Sequence, residues 1–189
     1  MQRTISITID LPKEFLDYLK VCSEIFNKYV DWCFETHSYN KNKAHKELYS
    51  LFREEYPTIP SAIIQSIRDT TLESVKALKF KYKPTKKSIS HVRYDKRTIS
   101  LKGDRLSISW SGTRIKQIIN IPKFFKDKYS DWSFQAATIG YDQYKKLFKA
   151  NLIFEKETPE PIVSENIVGI DRGVHNVIDL SYGTIHNSR

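Results

Sequence analysis

The chain has 189 residues, 40 % of them hydrophobic and 13 % aromatic, which supplies a core for one or two domains and excludes a disordered polymer. Its formal charge of +9 directs attention to phosphate-bearing partners. No apolar run nears the roughly 20 residues that span a bilayer, and Met1-Gln2-Arg3-Thr4-Ile5 is too polar for a secretory signal, so a cytoplasmic protein with no membrane partner is expected. Cys22 and Cys33, the only cysteines, fall eleven residues apart on one expected helix. That is about three turns, too far for a disulfide, and no CxxC pair points to zinc.

Thr4-Ile5-Ser6-Ile7-Thr8-Ile9 alternates with period two and predicts a half-buried strand. Asp10-Leu11-Pro12 ends it and starts a helix over 13–37, where Phe15, Leu19, Cys22, Phe26, Tyr29 and Cys33 form one apolar stripe. A polar loop follows, then a shorter helix through Leu48, Leu51 and Phe52 to Tyr56. Pro60 opens a third helix with Ile64, Ile67, Thr71, Val75 and Leu78 on one face and Gln65, Arg68, Asp69 and Lys76 on others. After a basic, proline-broken connector at 83–87, short alternating runs at 91–94, 98–101, 105–110 and 115–121 predict a small antiparallel barrel. Pro122 to Phe125 leads into a loop, and 134–141 with 147–155 reads as a hairpin turning near Asp142-Gln143. The opening strand has no neighbour in sequence, so its edge is expected to return to the barrel, with the helices as an insertion.

Charge is concentrated. Residues 76–128 carry sixteen Lys/Arg against Asp95, Asp104 and Asp127, leaving the rest of the chain net acidic. Such clustering fits a phosphate-binding surface, the competing reading being a solvated face. Near the end, Ile167-Val168-Gly169-Ile170-Asp171-Arg172-Gly173-Val174 predicts a strand–turn–strand with Asp171 near the end of its first strand. A carboxylate leaving an apolar strand is suited to a divalent cation, although an Asp that merely begins a tight turn has the same pattern.

Four passages together resemble the TnpB family, transposon-encoded RNA-guided DNA endonucleases also known as OrfB-type transposases of insertion sequences and similar to type V CRISPR effectors. Ile59-Pro60-Ser61-Ala62-Ile63-Ile64-Gln65 resembles the family's Pro-Ser-x-x-x-Gln helix start, and Val92-Arg93-Tyr94-Asp95 through Ile108 its basic strand pair. Pro159-Glu160-Pro161 resembles its linker. Gly169-Ile170-Asp171-Arg172-Gly173-Val174-His175-Asn176 resembles the Gly-Val-Asp-x-Gly-x-x-Asn start of its RuvC-like domain, the most specific of the four.

The resemblance implies an α+β fold: a wedge-type antiparallel β-barrel with an inserted helical recognition bundle, followed by the first strands of an RNase H-like (RuvC) domain. The implied layout is a first barrel strand at 1–10, the helical insertion at 11–82, the rest of the basic barrel at 83–157, a linker at 158–166 and the start of the nuclease domain at 167–189. It implies DNA and guide RNA as partners. Asp171 matches the first catalytic and Mg²⁺-binding carboxylate, and Ser61 and Gln65 match DNA-facing helix positions; taken alone, Gln65 reads as an exposed helix residue. Arg93, Tyr94, Lys96 and Arg97 would contact nucleic-acid backbone or guide RNA, since guanidinium pairs with phosphate and tyrosine stacks on bases. The family's later carboxylates and Cys-rich zinc insert have no match before Arg189. Asp179 is read as an ordinary strand or turn residue past the position facing Asp171, and His175 and His186 as exposed. One carboxylate cannot hold a two-Mg²⁺ array, so this polypeptide alone is expected not to cleave, unless a separately encoded remainder completes the nuclease. The alternatives are a non-cleaving DNA/RNA-binding module acting through the basic barrel, and an unrelated basic α+β protein.

Overall fold

The computed structural model describes residues 1–158 and, beyond them, only the backbone of 170–171, 178–180 and 185–186. Elements follow in the order β1 (Gln2–Ile9), α1 (Phe15–Glu35), α2 (Lys41–Glu55), α3 (Ser61–Leu78), β2 (Val92–Tyr94), β3 (Ile99–Lys102), β4 (Arg105–Trp110), β5 (Thr113–Ile118), α4 (Lys123–Lys128), β6 (Ser133–Asp142) and β7 (Leu147–Glu155). Three short strands, β8 (Ile170–Asp171), β9 (Ile178–Leu180) and β10 (Ile185–His186), complete the described chain. Contacts divide the chain into two units, Met1–Lys156 and Glu157–Arg189.

In the first unit, β1 buries Ile5, Ile7 and Ile9 and turns its hydroxyl residues outward, as its alternation dictates. Its partner is β7, antiparallel from Gln2 opposite Glu155 to Ile9 opposite Phe148. The β6–β7 hairpin turns where Asp142 Oδ1 accepts the backbone N–H groups of Tyr144 and Lys145. The full order is β1-β7-β6-β2, so β1 and β2 are the two outer strands and the helical block connects one edge to the other. A separate sheet has the order β3-β4-β5. Among the described residues neither sheet closes on itself, which corrects the expected barrel to two open antiparallel sheets. Sequence alternation fixes which face of a strand is buried, but it carries no information on closure, which depends on strand count and stagger.

Helix α1 buries its whole predicted stripe and also Tyr18, Ile25, Val30 and Trp32. The buried arc is wide because α1 packs against α2, α3 and β2. Phe15 lies among Tyr18, Trp110 and Phe148, with centroids 5.2, 6.3 and 5.7 Å away, and so ties the helix start to both sheets. Both cysteines are buried and free. Asn40 caps α2 by accepting from the N–H groups of Asn42 and Lys43. Helix α3 docks on β2 through Ser66 Oγ, which donates to the Arg93 carbonyl at 2.8 Å.

Two expectations need correction, and one residue adds to them. Arg68, expected on a face of the third helix other than its apolar stripe, is only 5 % exposed, because α3 is covered by α2 as well as by α1 and β2. Its guanidinium is held by Asp69 at 2.7 Å and by His45 Nδ1 at 2.9 Å. The stretch after Pro122 is the short helix α4 rather than a loop; Pro122 stands at its N-cap, where a missing N–H costs nothing. Among the described residues the terminal unit has three strands, in the order β10-β9-β8, rather than two. The 159–166 part of the linker, Gly173 and His175 lie outside the described residues. No helix among the described residues is long and apolar enough to cross a membrane.

Candidate nucleic-acid interface

Register assigns each residue of the three-stranded sheet to a face. Ile99, Ile108 and Ile115 stand opposite one another, as do Leu101, Leu106 and Gln117, and these rows form the inner face. The alternate rows are Ser100–Ser107–Lys116, Lys102–Arg105–Ile118 and Ser109–Arg114. The outer face therefore presents four cations and three serine hydroxyls. No carboxylate occupies any of its registered positions. Arg114 is oriented by Ser107, to whose Oγ its Nε donates at 2.8 Å and to whose carbonyl its Nη2 donates at 3.1 Å. Ser100, Lys102, Arg105, Ser107, Lys116 and Ile118 border a shallow hollow of about 430 Å³, with Ile118 78 % exposed at its rim. Cations fixed on a rigid sheet, interleaved with hydroxyl donors, suit phosphate oxygens spaced along a backbone.

A second basic region lies where the start of α3 meets the β2–β3 turn, and it holds most of the site residues expected from sequence. Ser61 is exposed in the first turn of α3. Gln65 is half-buried and its Oε1 accepts from Arg97 Nη1 at 2.8 Å. Arg97 also donates to Asp95 Oδ2 through Nε and Nη2, at 3.1 and 2.6 Å. Burial raises the Asp95 carboxyl, but hydrogen bonds from the Arg97 side chain and backbone outweigh it and leave the group below the ordinary aspartate range. Arg93 forms a two-pronged pair with Glu73, at 2.8 and 3.2 Å. Lys96 is exposed and has no ion pair among the described residues. The structure thus gathers Ser61, Gln65, Arg93, Lys96 and Arg97 on adjoining elements, with the two arginines already engaged by carboxylates.

Tyr94 does not join them. Its ring is fully buried, on the face of β2 opposite Arg93, and it meets Tyr18 and Cys22 in the core. Burial, and next the neighbouring Cys22, push its phenol well above the ordinary tyrosine range. It is a packing residue in this conformation, not a platform for a base. Alternation along β2 is the reason, since neighbours on a strand face opposite ways and Arg93 faces out.

In the terminal unit, Asp171 ends β8 and stands directly opposite Asp179 on β9, which corrects the expectation that Asp179 lies past that position. On β10, His186 stands opposite Ile178 of β9. Among the described residues no group of three or more His, Cys, Asp or Glu could hold a metal ion. Magnesium binding at Asp171 rests on the sequence resemblance alone.

Comparison with known protein families finds none that matches the chain, and a search of curated proteins finds no similar sequence. The fold, however, is similar to that of a chain in the cryo-EM structure of a CRISPR-Cas12f ternary complex, with a TM-score of 0.54 at 14 % identity. The likeness covers 93 % of this chain and 47 % of that one, so the present chain spans about half the length of its neighbour. At such identity the likeness speaks for the fold: helices combined with antiparallel sheets in the same general arrangement.

Proposed function

We propose that the chain binds nucleic acid, as the amino-terminal portion of a TnpB-like, RNA-guided endonuclease. The observation that carries this reading is the outer face of β3–β5, with Lys102, Arg105, Arg114 and Lys116 on one surface without a carboxylate among its registered positions. Clustered cations with no internal counter-charge are the footprint of phosphate recognition. The fold shared with a Cas12f complex is in keeping with the four-passage resemblance to the related TnpB family. Within this reading the transposon association, guide RNA as ligand, Ser61 and Gln65 as DNA-facing residues, and Mg²⁺ at Asp171 all come from the resemblance.

Fluorescence anisotropy with a structured RNA and a DNA duplex, over a salt series, tests the proposal. Binding that weakens steeply with salt, with the slope reduced by charge reversal at Lys102, Arg105 and Lys116, is expected. Indifference to both nucleic acids at physiological salt would overturn it. The 189-residue polypeptide is proposed not to cut DNA unaided, because the family's later carboxylates have no match in it. A Mg²⁺-dependent cut that Asp171→Ala abolishes would refute that part while leaving the binding reading intact. A non-cleaving module acting through the same basic face is the second reading, and it predicts binding that a separately supplied nuclease portion neither needs nor alters.

A further inference from the structure

A different surface of the helical block carries a feature that the basic sheet does not explain. An open cleft of about 630 Å³ lies between the α1–α2 loop and the end of α3, lined by residues that include His37, Tyr39, Asn40, Lys76, Lys79 and Phe80. Among the described residues that line it, the formally charged ones are all lysines: Lys41, which Asp69 holds at 2.7 Å, and Lys76 and Lys79, which have no ion pair among the described residues. Its aromatic part is a set of near-parallel rings. His37 stacks on Phe80 with centroids 4.3 Å apart and planes tilted by 22°, and Tyr39 meets Phe80 at 5.9 Å and 28°. Tyr39 is 45 % exposed, so this ring group ends on an open surface.

The backbone there adopts an unusual conformation. His37 occupies the left-handed position after α1, with φ 46°, in a turn where Ser38 N–H reaches back to the Cys33 carbonyl. Glycine is the usual occupant of that position. Lys79 and Phe80 are consecutive left-handed residues at φ 49° and 57°, again without glycine. Both departures bring side chains of this cleft to its wall, and strained backbone of this kind is concentrated at ligand sites. The α2 cap leaves further polar groups nearby: Asn40 Oδ1 is occupied by the backbone N–H groups of Asn42 and Lys43, and the side chains of Asn40 and Asn42 belong to residues that line the same cleft.

Flat parallel rings with an open end, two ammonium groups without counter-charge and side-chain amides together match one chemical class. We propose that this cleft holds an unpaired nucleotide of a single-stranded nucleic acid, its base stacked on Tyr39 and its flanking phosphates held by Lys76 and Lys79. An acidic peptide would satisfy the lysines but not the rings. A purely apolar ligand would satisfy the rings but leave the ammoniums facing nothing. Stacking tolerates any base, so the site discriminates little by sequence; the amides of Asn40 and Asn42 lie within reach of a base edge or a sugar hydroxyl. The proposal rests on the nucleic-acid reading above but assigns a surface that reading does not use.

The test measures anisotropy of fluorescein-labelled oligo-rU and oligo-dT of about ten nucleotides, within the usual single-strand site size, on the full chain, with a duplex as control. Tyr39→Ala is expected to weaken single-strand binding about tenfold, and Tyr39→Phe to restore it. Lys76→Ala with Lys79→Ala is expected to lower the slope of log K against log salt by about 1.4. Duplex binding is expected to be unchanged in every variant, which also shows that each is folded. Tighter binding of oligo-rU would identify RNA as the source of the nucleotide, and tighter binding of oligo-dT would identify DNA. Single-strand affinity indifferent to both the tyrosine and the lysine changes would overturn the proposal, as would a wild-type chain that binds the duplex but no single strand. Failure to bind either form would overturn the nucleic-acid reading itself, and this site with it.

Discussion

The outer face of β3–β5 and the junction of α3 with the β2–β3 turn are built from the same residue types, yet they differ in what faces their cations. At the junction, Arg93 is gripped by Glu73 and Arg97 by Asp95 and Gln65. On the sheet, Lys102, Arg105 and Lys116 face solvent, and Arg114 is oriented by a serine rather than neutralised. A guanidinium already paired with a carboxylate has part of its charge and some of its N–H donors taken up before it meets a phosphate, whereas an unpaired cation only sheds counterions. Local charge in the sequence is therefore a poor measure of binding capacity. The partner of each cation decides it.

The largest effect is expected where cations are free. Lys102→Glu, Arg105→Glu and Lys116→Glu together should weaken binding of a structured RNA by roughly a hundredfold and lower the salt slope by about two to three, read by anisotropy. A triple variant that binds like wild type would erase the distinction between the regions. Converting the junction to resemble the sheet is the reciprocal experiment. Glu73→Gln should free Arg93 and tighten binding by about two- to fivefold, at a stability cost below about 1 kcal/mol because the pair is exposed. Weaker binding would show that the Arg93–Glu73 pair is itself the functional arrangement.

A smaller effect is expected from pH. The Asp95 carboxyl is depressed in the folded state, so its contribution to stability is complete above its unfolded value near 4 and is lost as pH falls through the lower folded value. Urea midpoints measured between about pH 6 and 2.5 should decline less steeply for Asp95→Asn than for wild type. The smallest effect separates buried from exposed positions on one strand. Tyr94→Phe should leave nucleic-acid affinity unchanged and shift stability by less than about 1 kcal/mol, because the Tyr94 hydroxyl makes no hydrogen bond of regular geometry. A drop in RNA affinity for that variant would return Tyr94 to the interface.

What the amino-acid sequence discloses follows from periodicity. The alternation of Ile5, Ile7 and Ile9 and the stripe from Phe15 to Cys33 predict both elements and the faces they bury. The same alternation, followed through 100–118, places Lys102, Arg105, Arg114 and Lys116 on one surface, so that face is legible in the sequence even though the family resemblance points instead to Arg93 through Arg97. Arg68 is not legible, because its burial comes from α2 covering a side of α3 that no local pattern marks. Closure of the sheets depends on long-range stagger, and the Asp171–Asp179 register on the length of a turn, neither of which periodicity encodes. Phe80 is far in sequence from His37 and Tyr39, whose rings it joins, and left-handed conformations at non-glycine positions have no compositional signal.

The pairing of β1 with β7 has a consequence for biosynthesis. Within the first unit a ribosome releases β1 before every other strand and its neighbour β7 last, so the alternating edge Ile5-Ser6-Ile7-Thr8-Ile9 waits for that partner while everything between them is translated. The helices can form meanwhile from local contacts, but the strand cannot. During that interval the nascent chain exposes a short β-prone segment of the kind that pairs with other chains, and its protection falls to the helices or to chaperones. Completion of the unit is thus a late event: the hairpin of β6 and β7 has to emerge before β1 acquires its place.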